Sequence, residues 1–209
     1  MTGHITRRSV LGSLPLLLSA CGLSERPFVE RRQWPLAVVR PIIRPGRSGG
    51  IVLEVRALRA APDLSQRGLL TLQVDGSIRS NFYEEWSVLP ALAVEASLRQ
   101  WLEQSGRFAA VSGPGDRLAP DIMLDGELTA LWTDLGQGVA RATIAFSVLD
   151  LRPVTRRVLL QTSVTAVVPL SGPDAPASVL AQRAAVAAVC TQIENRFDEA
   201  PLARLLGAR

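Results

Sequence analysis

One cysteine near the start of the chain has the surroundings of an acylation site. Cys21 follows an apolar run over residues 10–20 and completes the tetrapeptide Leu18-Ser19-Ala20-Cys21, a bacterial lipobox; a basic pair, Arg7 and Arg8, precedes the run. A basic region, a short apolar stretch and small residues at the cut site are the three parts of a secretory signal. The pattern predicts cleavage before Cys21 and lipidation of its thiol. A membrane-spanning helix is the alternative, but a span needs about 20 apolar residues and this run has about half that number.

Lipidation would hold the protein at a membrane, because each buried CH₂ adds about 0.8 kcal/mol of affinity and two or more acyl chains bind persistently. Gly22 follows Cys21. The absence of Asp at this second mature position favours the outer over the inner membrane by the usual lipoprotein sorting rule. Residues 6–11 resemble a twin-arginine export signal, and the general secretory route stays open. We expect the mature protein on the periplasmic side of a bacterial membrane.

The composition excludes several kinds of chemistry. The single histidine, His4, lies inside the signal, so the mature chain has no imidazole for a Ser-His-Asp or Cys-His arrangement. Cys190 is the one thiol left after acylation, in an apolar helical pattern typical of a buried side chain. The chain has no lysine and no glycine-rich phosphate loop. These features predict a protein without catalytic residues and without a cofactor.

The charge balance does not indicate a nucleic-acid partner. Removing Arg7 and Arg8 from the 23 basic residues leaves 21 arginines against 19 acidic residues, a net charge of +2. A nucleic-acid-binding protein would have a dense basic face.

Two groups of residues are candidate sites. Tyr83 and Trp86 stand at a strand-to-helix corner, where they could form part of a partner interface or plug the end of the core; we favour the core. Asp121, Asp125 and Glu127 share one strand face and could supply oxygen ligands to a metal. Polar residues on an exposed strand face need no such explanation, so we predict no metal site.

Hydrophobic periodicity predicts the elements that position these residues. Alternation over residues 51–58 and 70–74 predicts two strands, and Asp75-Gly76 predicts a turn into a returning strand over 77–83. A helix is predicted over 88–104, with Ser87 as N-cap and Gly106 at its end. Glu84 and Glu85 would then complement the positive end of that helix. One face of the helix carries an apolar stripe: Val94, Leu98, Trp101, Leu102 and Ser105.

Three long strands follow, over residues 121–132, 142–148 and 158–168, with Trp132 on the core face. A helix over 175–197, with Asp174 as N-cap, would cover their apolar face. The fold class predicted is α+β, an antiparallel sheet with two main amphipathic helices packed on one face. The organisation predicted is a signal peptide (1–20), a tether (21–33), a single periplasmic domain (34–199) and a C-terminal tail (200–209).

Three segments resemble a known family when taken in order after the lipobox: residues 81–86 (NFYEEW) before the helix, 106–111 (GRFAAV) after it, and 120–128 (PDIMLDGEL). They resemble the ABC-type transport auxiliary lipoprotein family, the PqiC-like component of MCE lipid-transport systems. The resemblance covers about residues 51–197. It implies a non-catalytic subunit docked on an MCE-domain partner, and through it on an inner-membrane permease and ATPase. It also implies possible self-association with cyclic symmetry.

Two other functional classes stay open. A stand-alone lipid carrier or lipopolysaccharide-assembly lipoprotein would enclose an apolar cavity of its own. A membrane-anchored hydrolase is the other class, and the lack of histidine argues against it.

Overall fold

A computed structural model describes residues 29–46, 49–152 and 156–207. Within these ranges the chain forms nine strands and three α-helices. Their bounds are β1 Arg32–Trp34, β2 Val52–Val55, β3 Arg59–Ala60, β4 Gly68–Leu72, β5 Ile78–Trp86, α1 Pro90–Glu103, β6 Ala110–Ser112, β7 Ile122–Asp134, β8 Val139–Asp150, β9 Arg157–Pro169, α2 Ala175–Arg196 and α3 Leu202–Gly207.

The sheet is organised around β7. On one side β7 pairs with β8 and β8 with β9, both antiparallel as predicted. On the other side β2, β3 and β4 lie in turn along β7, and all three run parallel to it. Beyond them, β6 pairs with β2, β5 with β4, and β1 with β5. The α+β class is confirmed; the sheet is mixed, because the period of a strand fixes its buried face but not its direction.

Helices α1 and α2 contact each other and share one hydrophobic core with the sheet. The predicted stripe on α1 is confirmed, since Val94, Leu98 and Leu102 are fully buried. The predicted cap of α2 is also confirmed: the Asp174 carboxylate accepts a hydrogen bond of 2.8 Å from the backbone N–H of Ala177. In the described parts of the chain, no helix combines the length and apolar character of a membrane span.

The predicted start of α1 is wrong. The helix begins at Pro90, Leu89 is its N-cap, and no side chain caps it. Proline suits the first helical position, because it lacks the N–H that would go unpaired there. The backbone N–H of Ser87 donates to the Trp34 carbonyl instead. Glu84 and Glu85 lie within β5, so they do not complement the helix end.

A β-bulge in β7 changes which side chains of that strand face the core. The register with β8 shifts between Leu128 and Ala130. Beyond the shift Leu131 pairs with the buried Ala142, and Trp132 pairs with Arg141 on the opposite face. One extra residue inverts every later side chain, so Trp132 leaves the face that Leu128 and Leu131 share. It still packs against the core, but only partly buried.

Both ends of the predicted domain extend further than expected. β1 begins at Arg32, inside the segment predicted as a tether. The segment predicted as a tail contains α3, whose Leu202 and Leu205 are buried in the core.

A buried carboxylate joins α2 to three other parts of the chain. Glu194 accepts hydrogen bonds from Trp101 Nε1 (2.8 Å), Arg40 Nη2 (3.0 Å) and Arg107 Nε (3.3 Å). Burial alone would raise the pKa of Glu194, but these three donors together hold that pKa below the usual glutamate value.

Trp101→Ala should lower the free energy of unfolding by about 3–5 kcal/mol, the usual cost of emptying a large aromatic site in a core. The indole is buried and its N–H is bonded to Glu194. Denaturant unfolding measures the loss, and Phe82→Ala, at an exposed aromatic residue, is the control. Unchanged stability with lost partner binding would mean that the α1 stripe faces a partner.

Glu194→Gln should destabilise the protein by about 3 kcal/mol at pH 7, because it leaves the largely buried Arg40 without a counter-charge, whereas Arg107 keeps Asp198. The folded-state pKa is below the ordinary value of 4.5, so the carboxylate stabilises the fold above that pH and ceases to as pH falls through the folded pKa. The difference between wild type and variant should therefore shrink below about pH 4.5. The control is Glu103→Gln at an exposed site; a pH-independent difference would contradict the interpretation.

Candidate functional site

The predicted lipidation site lies outside the described residues, as do Arg7, Arg8, Leu18, Ser19 and Ala20. The described chain begins at Val29, eight residues after Cys21, and enters the sheet three residues later as β1. The end of the sheet formed by β1, β5 and β4 is therefore the part of the described fold nearest in sequence to the predicted anchor.

The structure separates the predicted pair at the strand-to-helix corner. Trp86 is 1% exposed and fills the core, whereas Tyr83 is 45% exposed. One side chain is in the core and the other is on the surface, so the two do not form a single partner surface. Trp86 thus has the core role that the sequence favoured. Tyr83 is left as the candidate for a partner contact.

Tyr83 belongs to an exposed apolar surface that sequence reasoning missed. Its neighbour Phe82 is 67% exposed, and the two rings meet edge to face with centroids 5.3 Å apart. The Arg31 guanidinium lies 4.2 Å from the centroid of the Phe82 ring. Further along the β4–β5 hairpin, Val74 and Ile78 are also exposed. We call these four residues, Val74, Ile78, Phe82 and Tyr83, the hairpin surface.

Local chemistry fixes the backbone beneath this surface. A Cβ on Gly68 would lie 2.1 Å from Ser80 Oγ and 2.7 Å from the Asn81 carbonyl oxygen, so the close approach of β4 and β5 requires glycine. The Asn81 side-chain oxygen accepts hydrogen bonds from the backbone N–H groups of Tyr83 (2.9 Å) and Glu84 (3.1 Å). The two aromatic residues are therefore presented by a hydrogen-bonded backbone.

Two buried carboxylates hold β1 against the base of the hairpin. Glu84 accepts hydrogen bonds from Arg32 Nε (2.8 Å) and Trp34 Nε1 (2.7 Å). Glu85 accepts one from Gln33 Nε2 (2.8 Å) and lies 3.2 Å from Arg67 Nη2. The first described strand is thereby joined to the hairpin by side chains as well as by the sheet.

A groove of about 380 Å³ runs beside the hairpin surface. It lies between the hairpin and the start of α2, and its lining includes Thr71, Arg79, Tyr83 and Ser178. Polar and aromatic groups at the edge of an apolar patch are common in protein interfaces. This arrangement can receive side chains of a partner.

The carboxylates considered for a metal site have other partners. Asp121 accepts from the backbone N–H of Val52 (2.9 Å), and Arg59 lies 3.3 Å from Asp125 and 3.7 Å from Glu127. Over residues 29–46, 49–152 and 156–207, no group of three or more His, Cys, Asp or Glu residues is placed to hold a metal ion.

The Cys190 thiol is fully buried. Burial, with a contribution from nearby Glu194, raises its pKa to about 12. The thiol is therefore protonated at neutral pH and is a poor nucleophile.

Two solved structures share the fold of this chain. No similar protein was found among curated sequences. A crystal structure from Xanthomonas campestris, of a DUF330-family protein, is 21% identical over 79% of this chain and 94% of that one, with a TM-score of 0.64. Another, of a protein described as uncharacterized, is 12% identical over 80% and 99% of the two chains, with a TM-score of 0.61. At these identities the similarity shows a shared fold.

The family assignment comes from the sequence. The model of the ABC-type transport auxiliary lipoprotein component matches residues 37–194, which is 158 of the 209 residues. This range contains α1, the sheet from β2 to β9 and nearly all of α2. The chain therefore belongs to the ABC-type transport auxiliary lipoprotein family.

Proposed function

We propose that this lipoprotein acts by binding and not by catalysis, as a periplasmic accessory subunit of an MCE-type system that moves phospholipids or related lipids between membranes. Family membership makes it an auxiliary component of an ABC transport system. The observation that carries the proposal is the hairpin surface, with its exposed aromatic pair on a rigid base.

Docking of a partner on the hairpin surface would remove its exposed apolar side chains from water, which is energetically favourable. Aromatic residues are enriched in protein interfaces and often dominate their binding energy. Phe82 and Tyr83 are held by a hydrogen-bonded backbone, so little conformational entropy would be lost when a partner covers them. The neighbouring groove gives that partner room to insert side chains.

The choice of an MCE-domain partner rests on the resemblance of residues 81–86, 106–111 and 120–128 to the PqiC-like component. The first segment contains the aromatic pair of the hairpin surface. The MCE protein would in turn connect this subunit to an inner-membrane permease and ATPase.

The anchor limits where docking occurs. Arg32 lies eleven positions after Cys21, and eleven extended residues span at most about 40 Å. An acylated Cys21 would keep the hairpin end of the sheet within that range of the bilayer. Gly22 at the second mature position supports the outer membrane as the site of anchoring.

Phe82→Ser combined with Tyr83→Ser should weaken partner binding by about tenfold or more, as the loss of interface aromatics commonly does. Tagged full-length protein would be cross-linked in its native membrane and purified, and the recovered MCE subunit and ATPase quantified by mass spectrometry. Both side chains are exposed, so the fold should be retained, and thermal melting checks this.

The matched control is Leu118→Ser, an exposed apolar residue outside the hairpin. Equal recovery from the double variant and wild type would place docking on another surface. Recovery of the wild type alone, or with cell-wall hydrolases in place of an MCE subunit, would contradict the proposed function and favour the lipid-carrier or hydrolase alternatives.

Cys21→Ser should abolish acylation and leave a soluble protein or an uncleaved precursor, because the lipobox offers no other acceptor. Labelling with radioactive palmitate followed by membrane fractionation measures this. Cys190→Ser is the control, since that thiol is buried in the core. Continued uptake of label by the Cys21→Ser protein would disprove lipidation at this residue.

A further inference from the structure

A second groove, of about 320 Å³, opens where the segment after β1 meets the last turns of α1 and α2. A cavity of a few hundred Å³ is large enough for a small ligand. No residue of the hairpin surface lines this groove, so it is separate from the proposed docking site. Its charged lining consists of three arginines and one carboxylate: Arg40, Arg44, Arg107 and Glu194.

The groove has more positive charge than its neighbouring carboxylates neutralise. Arg40 and Arg107 both pair with Glu194, at 3.0 Å and 3.3 Å. Arg107 pairs in addition with Asp198. Arg44 is exposed, and among the described residues it forms no ion pair. Three guanidinium groups therefore meet two carboxylates, which leaves an excess of one positive charge.

One hydrogen-bond donor of the groove is also unsatisfied. The Arg40 side chain is 9% exposed, and its Nε and Nη2 donate to Glu194 at 3.2 Å and 3.0 Å. Its Nη1 is buried and has no hydrogen-bond partner in the described part of the chain. A buried donor without a partner is energetically costly. A negatively charged acceptor that entered the groove would relieve this cost and balance the excess charge.

Backbone contacts hold the arginine segment in place. The N–H of Arg44 donates to the Gln104 carbonyl at the end of α1 (2.9 Å). Gly106 has a φ of +70°, and a Cβ there would lie 2.7 Å from the Pro45 carbonyl oxygen, so the segment packs directly on the turn after α1. The cationic groups are therefore positioned before a ligand arrives, which lowers the cost of binding.

Apolar side chains lie beside these charges. Ile42 lines the groove and is 62% exposed, and the next residue, Ile43, is 68% exposed. Covering them would remove apolar surface from water, which is favourable. A ligand with a charged head and an apolar chain could contact both kinds of group at once.

We infer that this groove binds a singly charged oxyanion attached to an apolar chain, as in a phosphodiester lipid headgroup or a fatty-acid carboxylate. The head would lie between Arg40 and Arg44, and the chain would cover Ile42. Guanidinium groups bind phosphate and carboxylate oxygens through paired N–H donors. The single excess positive charge matches a single negative charge. The inference goes beyond the proposed function, and docking on the hairpin surface can fail without it.

The test is photo-cross-linking of the full-length protein in vesicles, with benzoylphenylalanine in place of Ile42. The vesicles contain phosphatidylcholine alone, with phosphatidylglycerol, or with oleate. Mass spectrometry should find the anionic lipid attached several-fold above its share of the membrane. Enrichment of phosphatidylglycerol or of oleate distinguishes the phosphodiester from the carboxylate. The matched control has the same group in place of Leu118, an exposed residue outside the groove, and should attach lipids in proportion to their share.

Arg44→Gln should remove the enrichment, because it deletes the unpaired charge. Arg56→Gln, at an exposed arginine outside the groove, should not. Thermal melting checks that both variants fold. Added salt should also reduce the enrichment, since it screens exposed charges. Proportional attachment from Ile42 in both anionic membranes would overturn the inference. Attachment to a protein, or equal enrichment from Leu118, would overturn it too, because either result would show that the groove does not select the lipid.

Discussion

The fold depends on one buried carboxylate, that of Glu194, whose charge is balanced by arginine side chains. Glu194 lies on the core-facing side of α2. It accepts hydrogen bonds from Arg40 in the segment after β1, from Trp101 in α1 and from Arg107 in the segment before β6. Removing a charge of this kind from water is unfavourable unless its hydrogen bonds are satisfied. The three donors meet this requirement only if their segments converge on the last turns of α2. A single side chain thus links the N-terminal segment, the first helix and the closing helix.

Buried carboxylates also hold the first strand, β1, in the sheet. Glu84 and Glu85 are buried, and their partners come from β1 about fifty residues earlier in the chain. Arginine suits this task, because its planar group donates several hydrogen bonds in a fixed geometry and remains charged when buried. The N-terminal segment is therefore fixed twice, at the hairpin through β1 and at α2 through Arg40.

The sequence predicted features that depend on local spacing. The α1 stripe, the Asp174 cap, the β4–β5 hairpin and the long antiparallel strands follow from periods of 3.6 and 2 or from a single capping residue. Strand direction did not follow, because a period of two is the same in parallel and antiparallel strands. The face of Trp132 was predicted wrongly, because the hydrophobic pattern of an apolar strand does not reveal the position of a β-bulge. The hairpin surface was half predicted: Tyr83 was named as a candidate for a partner contact, but Phe82 and the Arg32–Glu84 contact were not. Nothing local in the sequence indicates which arginine meets which glutamate across fifty residues.

The distribution of exposed apolar groups argues for a role in binding. On one side of β7 the sheet ends in the hairpin surface, tied by carboxylates to the strand nearest the predicted anchor. On the other side it ends in β9, where Gln192 of α2 donates a hydrogen bond to the Thr165 carbonyl. β7 is hydrogen-bonded along its length to strands from both sides, so the hairpin is held firmly to the rest of the sheet. A rigid sheet of this kind can present the hairpin surface to a partner in a defined orientation. That property needs no chemistry of its own, in keeping with an auxiliary component of a transport system.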